Sequence, residues 1–187
     1  MFVMTALLSG DGIQDMHFVK GDNEMNYHFA YLDKQCLEQM LPQLFQLLHT
    51  NMSQIAPTGN PYEQDLALWY GNVYPAMQKD PRQIVLMYDG DTMVGYFQYY
   101  VAKGVFMMEE IQIQQAHQGT GLFRAFYVWL LGQIREDVQY VEAYSHKLNR
   151  KSQGILEHLG LSKCGENQNG NSYHYRGSYK DLLQVFF

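Results

Sequence analysis

The chain has 187 residues, of which 47% are hydrophobic and 17% are charged, and this composition is typical of a folded domain and excludes a largely disordered chain. Its formal net charge is −6, and no block of Lys or Arg occurs, so the chain lacks the basic surface that nucleic-acid binding requires. We therefore expect one domain over 1–187 that does not bind nucleic acid, with residues 1–26 as an N-terminal extension.

Cysteine usage and apolar runs indicate the compartment. The two cysteines, Cys36 and Cys164, have neither a disulfide framework nor the spacing of a metal site. The apolar run from Ala125 to Leu131 is far too short to span a bilayer. We therefore expect a cytoplasmic protein that has no metal and does not associate with a membrane.

The N-terminal half of the chain predicts one strand followed by two helices. A strand is expected over Tyr27–Tyr31, and a helix with one apolar face over Cys36–His49. This helix starts either at Cys36 or only at Pro42, since proline favours a first turn. A loop over Asn51–Pro61 precedes a second helix over Tyr62–Lys79.

The middle of the chain predicts consecutive hairpins. A strand over Ile84–Tyr88 is followed by Asp89-Gly90-Asp91, which is a strong hairpin turn signal. Aromatic and β-branched residues over Met93–Val101 favour the returning strand. The dipeptide Lys103-Gly104 then turns the chain into a further strand over Val105–Gln114.

The last part of the chain predicts alternating helices and strands. A helix is expected from Gly119 to about Glu136, a strand over Tyr140–Ser145, and a helix over Asn149–Leu159 that Gly160 closes. One or two strands follow, with a strand expected over Tyr173–Tyr175 and a short tail after it. The whole order indicates a mixed α/β sheet with helices on its faces, in which the strand–helix–strand section is parallel.

The most informative segment leads from the strand over Val105–Gln114 into the next helix. Gly119 and Gly121 allow close approach to the backbone, and the free N–H groups of a helix start favour an anion such as a pyrophosphate. Neither the dinucleotide-binding GxGxxG pattern nor the P-loop pattern matches. By themselves, the two glycines also fit an ordinary tight turn.

The segment resembles the acetyl-CoA-binding motif of the GNAT N-acetyltransferase superfamily, in which a strand with two alternating apolar residues leads into Gln/Arg-x-x-Gly-x-Gly/Ala. Ile111 and Ile113 match the strand pair, and Gln118–Gly121 match the loop. Phe123 replaces the final Gly/Ala, and its ring either crowds the phosphates or points away from them. The later stretch Asn149–Leu161 is similar to the family's Asn-x-x-Ala/Ser, helix and Leu-Gly-Phe/Leu motif.

The resemblance implies a GNAT-like fold and acetyl-CoA as co-substrate. The fold would be α/β (α+β), a mixed and mostly antiparallel sheet with helices on both faces and a central parallel strand pair splayed for CoA. The expected wedge lies between Ile111–Gln114 and Tyr140–Ser145, with a backbone N–H near Ile113 polarising the thioester carbonyl. The residues expected to bind the cofactor are Ile111, Ile113, Gln118, Gly119, Thr120, Gly121, Phe123 and Asn149.

The implied activity is transfer of an acetyl (acyl) group from acetyl-CoA to an amine, by direct attack in a ternary complex. The attacking amine must lose a proton, and a carboxylate can accept it. Adjacent residues of a strand point to opposite faces, so only one of Glu109 and Glu110 should face the cavity. Glu109 is preferred because it shares a face with apolar residues, and Glu110 is held in reserve. The alternative is a solvated or ion-paired strand glutamate.

The residue that protonates the leaving thiolate is not evident, because Leu156 occupies the position where the family often has a tyrosine. Tyr144 and His146 are candidate substitutes. Leu156 and Phe123 favour an alternative, a catalytically idle acyl-CoA-binding sensor or an interaction domain of the same fold. The expected acceptor is a small-molecule or peptide amine, and the expected state is a monomer or homodimer.

Overall fold

The structure is a computed structural model that describes residues 13–20, 26–79, 81–134 and 137–187, with side chains from residue 26 onward. The strands are β1 (Ile13–Lys20), β2 (Asn26–Leu32), β3 (Gln83–Asp89), β4 (Thr92–Ala102), β5 (Val105–Ile113), β6 (Tyr140–His146), β7 (Ser162–Glu166) and β8 (Ser172–Ser178). The helices are α1 (Leu37–Met52), α2 (Tyr62–Met77), α3 (Leu122–Gln133), α4 (Arg150–His158) and α5 (Tyr179–Phe186).

The described strands form one sheet in the order β1-β2-β3-β4-β5-β6-β8-β7. Every neighbouring pair is antiparallel except β5 and β6, which are parallel because α3 carries the chain across the sheet between them. This topology confirms the predicted mixed, mostly antiparallel sheet with a central parallel pair.

Helices cover both faces of the sheet, and alternate residues of β4 divide the core between them. Tyr96 is buried in the cluster formed with α1 and α2, whereas Phe97 is buried in the cluster formed with α3, α4 and α5. The first cluster also contains Leu37, Leu41, Leu44, Phe45, Leu47, Trp69, Met77, Ile84 and Leu86. Because side chains alternate along a strand, the adjacent residues Tyr96 and Phe97 pack in opposite layers.

Helix α1 begins at Leu37, which agrees with the earlier of the two predicted starts. Pro42 therefore lies inside the helix rather than in its first turn. Leu37 and Leu41 are buried and hold the first turn against the sheet. The bond that Pro42 removes would have gone to the carbonyl of Glu38, an exposed residue, so water can satisfy that group.

Strand β1 and helix α5 were not predicted from the sequence, and β7 was covered only by the expectation of one or two strands after the last predicted helix. Strand β1 pairs with β2 at one edge of the sheet, and β7 pairs with β8 at the other. All five residues of β7 are exposed, so the segment lacks the alternation that marks a half-buried strand. The predicted C-terminal tail is helix α5, and the predicted end of α3 near residue 136 lies outside the described residues. None of the described helices has the length and apolar character that crossing a membrane would need.

Candidate active site

The parallel strands β5 and β6 are paired along only part of their length. Val105–Met108 pair with Tyr140–Ala143, and beyond these residues the strands continue without pairing to each other. The fork between them opens into a cleft with a volume of about 850 Å³. The central parallel pair is therefore splayed, as predicted.

The edge of β5 that faces the fork presents backbone groups that do not pair with β4. The N–H of Gln114 donates to the carbonyl of Val94 on β4 at 2.8 Å. Because consecutive residues of a strand direct their backbone groups to opposite sides, Ile113 and Ile111 direct theirs away from β4 and toward the cleft. The carbonyl of Ile113 accepts bonds from the Nε2 of Gln118 at 2.9 Å and the Nδ2 of Asn51 at 3.2 Å. This edge is suited to pair with an extended ligand that carries amide groups.

Strand β6 contributes an orphaned hydroxyl to the same cleft. Ser145 is 3% exposed and lines the cleft beyond the last paired residue, Ala143. Its Oγ atom is buried and has no hydrogen-bond partner among the described residues. Buried polar groups are normally hydrogen-bonded, so this hydroxyl fits a ligand that brings a polar group into the fork.

The loop after β5 turns on two glycines. Gly119 and Gly121 have φ angles of +81° and +88°, values that L side chains rarely adopt. Gly121 directly precedes α3, and no side chain caps that helix start. Gln118 and Gly119 line the cleft, but the hydroxyl of Thr120 lies within hydrogen-bond distance of His117 and Tyr27. The start of α3 is thus arranged to offer backbone N–H groups to an anion at the cleft.

Two side chains near this loop shape the cleft. The ring of Phe123 lines the cleft and packs on Tyr127, with a centroid distance of 4.6 Å. The Nζ of Lys151, at the start of α4, donates to the Oε1 of Gln118 across the cleft. A cation therefore lies beside the glycine loop.

Residues of the later motif lie at the floor and rim of the cleft. Asn149 caps α4 by accepting the N–H of Ser152 at 3.0 Å, and its side chain lines the cleft. Leu156 is 7% exposed and also lines the cleft. This part of the floor is therefore apolar and has no proton to donate.

A β-bulge at Glu109 changes the direction of the two adjacent glutamates. Gln98 of β4 pairs with Glu110, and the next residue, Tyr99, pairs with Met108, so Glu109 is the extra residue on β5. Glu109 and Glu110 bond to Gln98 and Tyr96, which lie on the same face of β4. The prediction that the two glutamates point to opposite faces is therefore wrong, because the bulge interrupts the period of two.

Glu109 is held in an ion pair. The Nε and Nη2 atoms of Arg82 each approach it to 2.7 Å, and the Nε2 of Gln98 donates to it at 2.7 Å. The apolar surroundings expected for Glu109 are absent, and the ion-paired alternative describes it. The hydrogen bonds to Glu109 raise the pKa of the Arg82 guanidinium.

Within the part of the chain whose side chains are described, no cation pairs with Glu110. Its carboxylate accepts bonds from the hydroxyl of Tyr96 and, at 3.3 Å, from the Nε2 of Gln112. The Oε1 of Gln112 accepts in turn from the Nδ2 of Asn51 at 2.9 Å. Burial raises the pKa of Glu110 above its ordinary value of 4.5 and the nearby Glu109 charge adds to this, although the two hydrogen bonds oppose it. Glu110 therefore holds its proton more readily than an exposed glutamate does.

Neither models of known protein families nor curated protein sequences match the chain. Solved structures do. The PaiA N-acetyltransferase from Thermoplasma acidophilum, in complex with coenzyme A, is similar over 83% of this chain and 100% of its own, with a TM-score of 0.66 at 9% identity. The GNAT domain of PAT from S. lividans is similar over 87% of this chain and 96% of its own, with a TM-score of 0.59 at 14% identity.

An acetyltransferase from Thermus thermophilus is similar over 81% of this chain and 96% of its own, with a TM-score of 0.62 at 17% identity. The chain has the GNAT fold. The expected fold is therefore confirmed, and the fork between β5 and β6 lies at the central parallel pair of that fold.

Two tyrosines border the fork of this GNAT fold. Tyr144, which was predicted, is 46% exposed, lines the cleft and stacks on His174 at a centroid distance of 4.6 Å. Tyr127 on α3 was not predicted. Its hydroxyl donates to the Sδ atom of Met108 at 3.2 Å, and burial raises its pKa well above the ordinary value. His146 also lines the cleft, and its Nδ1 accepts the N–H of Leu148.

Sequence reasoning missed the residues that support Glu110 and Glu109 in this GNAT fold. Arg82 and Asn51 belong to no motif, and tertiary packing brings them to Glu109 and to Gln112. Gln112 lies on the same strand as Glu110, two residues further along the chain. Tyr127 occupies an ordinary apolar position of α3, where its hydroxyl gives no periodic signal. Among the described residues, no cluster of three or more His, Cys, Asp or Glu side chains is arranged to hold a metal.

Proposed function

We propose that the protein is an N-acetyltransferase that transfers an acetyl (acyl) group from acetyl-CoA to an amine by direct attack in a ternary complex. The observation that carries this proposal is the fork beyond Met108 and Ala143, which has the glycine-turned start of α3 on one side and the Glu110 carboxylate on the other. The similarity to a GNAT fold solved with coenzyme A supports CoA as the occupant.

The residues of the fork are suited to hold the parts of CoA. The backbone groups of Ile111 and Ile113 would pair with the amides of the pantetheine arm, and the Ser145 hydroxyl would gain a partner there. The N–H groups that follow Gly119 and Gly121 would bind the diphosphate. In this arrangement Gln118, Thr120 and Phe123 complete the loop, and Thr120 contributes through its backbone. Asn149 borders the pantetheine arm from the start of α4.

We assign the general base to Glu110 rather than to Glu109. An alkylammonium has a pKa of about 10.4, so the bound amine must give up a proton before it attacks. The raised pKa of Glu110 makes its carboxylate the better acceptor for that proton. Glu109 is engaged by Arg82. We assign Glu109 a positioning role, in which its charge acts on Glu110.

In the proposed reaction the amine nitrogen attacks the thioester carbonyl carbon and the C–S bond breaks. The amine proton passes to Glu110, and a backbone N–H at Ile113 or Ile111 stabilises the carbonyl oxygen. The thiolate that leaves needs a hydrogen-bond donor. We favour Tyr127 over Tyr144 for this role because its hydroxyl already donates to a sulfur atom, that of Met108, at the point where the strands part.

A second candidate is an acyl-CoA sensor with the same fold and no turnover. Leu156 favours it, since it leaves the floor of the cleft without the usual hydroxyl, and so does Phe123, whose ring lines the cleft. Thiol release from acetyl-CoA with a panel of amines separates the two candidates. Turnover supports the transferase, whereas calorimetric binding of CoA without turnover for any amine supports the sensor. Absence of CoA binding rejects both.

A further inference from the structure

The cleft has two halves, one on each face of the sheet. Glu110 bonds to Tyr96, whose ring is buried under α1 and α2, so its carboxylate lies on the α1 side. The glycine loop leads into α3, which packs on the opposite face. An acceptor that meets Glu110 therefore occupies the half of the cleft that α1 borders.

Three apolar side chains make up most of the wall that α1 and the turn after it give to that half, and the amides of Asn51 and Gln54 complete this wall. Leu48 and Met52, in the last turns of α1, and Ile55, in the turn that follows, line the cleft at spacings of four and three residues. All three are only partly buried. Asn51 lies on the same face, and its Nδ2 is already bonded to Gln112 and to the carbonyl of Ile113.

Negative charge in this half is concentrated at one residue. Among the described residues, the carboxylates that line the cleft are those of Glu109 and Glu110. Arg82 pairs with Glu109 at 2.7 Å, so Glu110 is the cleft carboxylate that has no cation partner among the described side chains. A second ammonium on the acceptor would lie against the apolar wall without a counter-charge, and the desolvation of an unpaired charge is costly.

We infer that the acceptor is a monoamine with an apolar body, whose amino group meets Glu110 and whose body packs on Leu48, Met52 and Ile55. Polyamines are poor acceptors on this inference. It rests on the proposed transferase function and adds the chemical class of the second substrate.

The test compares hexylamine with 1,6-diaminohexane, which have the same chain length and differ in the second ammonium. Thiol release from acetyl-CoA should give a kcat/KM at least about tenfold higher for hexylamine at the same pH. Ile55→Glu should reduce or reverse this preference, because it adds a carboxylate to the wall. Ser53→Glu is the matched control, since Ser53 is exposed and does not line the cleft, and it should leave the preference unchanged.

Equal or better use of the diamine by the unmodified protein would overturn the inference and leave the transferase function standing. Turnover with neither amine would overturn it as well. In that case calorimetric titration with CoA shows how much of the proposed function survives. Binding of CoA would leave a CoA-binding role in place, whereas absence of binding would overturn the proposed function too.

Discussion

At the scale of single residues, Glu109 and Glu110 are neighbours in sequence with the same side chain, yet their surroundings differ. Glu109 is paired with the guanidinium of Arg82, whereas Glu110 is partly buried and accepts bonds from the phenol of Tyr96 and the amide of Gln112. The bulge that brings both to one face makes them interact, and their separate partners give them separate roles.

The first prediction compares the two carboxylates by kinetics. Glu110→Gln should lower kcat by about 10²–10³-fold, because general bases contribute on that order. Its affinity for CoA should stay within about twofold, since the phosphate half of the cleft is untouched. Glu109→Gln should lower kcat by less, and should destabilise the fold by about 1–2 kcal/mol through the lost bonds to Arg82. A larger kcat loss in Glu109→Gln than in Glu110→Gln would contradict the assignment.

The second prediction concerns stability against pH. The pKa of Glu110 is raised in the folded state, so the folded protein binds more protons than the unfolded chain between pH 4.5 and that raised pKa. Proton binding at Glu110 therefore stabilises the folded protein at low pH. The free energy of unfolding of the unmodified protein should fall as pH rises through that window. Glu110→Gln should have a higher Tm than the unmodified protein at neutral pH, and the difference should vanish below pH 4.5. Thermal denaturation at pH 4 and pH 7 measures this difference in Tm. An equal difference at both pH values would show that the titration of Glu110 does not cause it.

The third prediction tests the donor to the thiolate. Tyr127→Phe keeps the ring and removes the hydroxyl, and it should lower kcat by about tenfold or more while raising the pKa of the thiol of bound CoA. Thiolate absorbance during a pH titration of the complex reads that pKa without any acceptor. Tyr175→Phe is the control, since Tyr175 is buried but does not line the cleft. If Tyr144→Phe shifts the thiol pKa and Tyr127→Phe does not, Tyr144 is the donor.

At the scale of elements, the position of the β5 edge at the fork depends on how closely β4 and β5 approach each other. A Cβ atom on Gly95 would lie 2.7 Å from the carbonyl oxygen of Gln112 and 3.1 Å from the Sδ of Met87. Gly95 pairs with Ile113, so any added side chain there displaces the strand edge that faces the cleft.

The fourth prediction follows from this close approach. Gly95→Ala should destabilise the protein by about 1–3 kcal/mol, because a tight backbone contact cannot absorb a methyl group. It should also weaken CoA binding measured by calorimetry. Gly71→Ala is the matched control, since Gly71 lies in α2 with open space around its Cβ position, and it should be neutral or stabilise by about 0.5–1 kcal/mol. Equal CoA affinity in Gly95→Ala and the unmodified protein would contradict the link to the fork.

Elements with local turn chemistry could be predicted from the sequence, and elements held by tertiary contacts could not. The hairpin turn at Gly90 and the turn at Gly104 have positive φ angles, which glycine signals directly. The bulge at Glu109 leaves no trace in an alternating segment, since it depends on pairing with β4. Strand β7 is exposed on every residue, so periodicity could not give its bounds.

At the scale of the whole molecule, the candidate site is assembled from segments far apart in the chain. The loop before α3 and the start of α4 carry motifs, so their residues could be named from the sequence. The end of α1 carries none, yet Asn51 reaches Gln112 across 61 positions of the chain. The fold was predictable from ordered motifs, whereas the acceptor half of the site depends on packing that the sequence does not display.

The central claim is that the fork between β5 and β6 holds the pantetheine arm of CoA, and a crystal structure of the protein with CoA tests it most directly. We predict an arm that lies between the strands and bonds to the backbone of Ile111 and Ile113, with the diphosphate against residues 119–121. CoA bound outside the fork, or strands closed together beyond Met108 with the ligand elsewhere, would contradict the account.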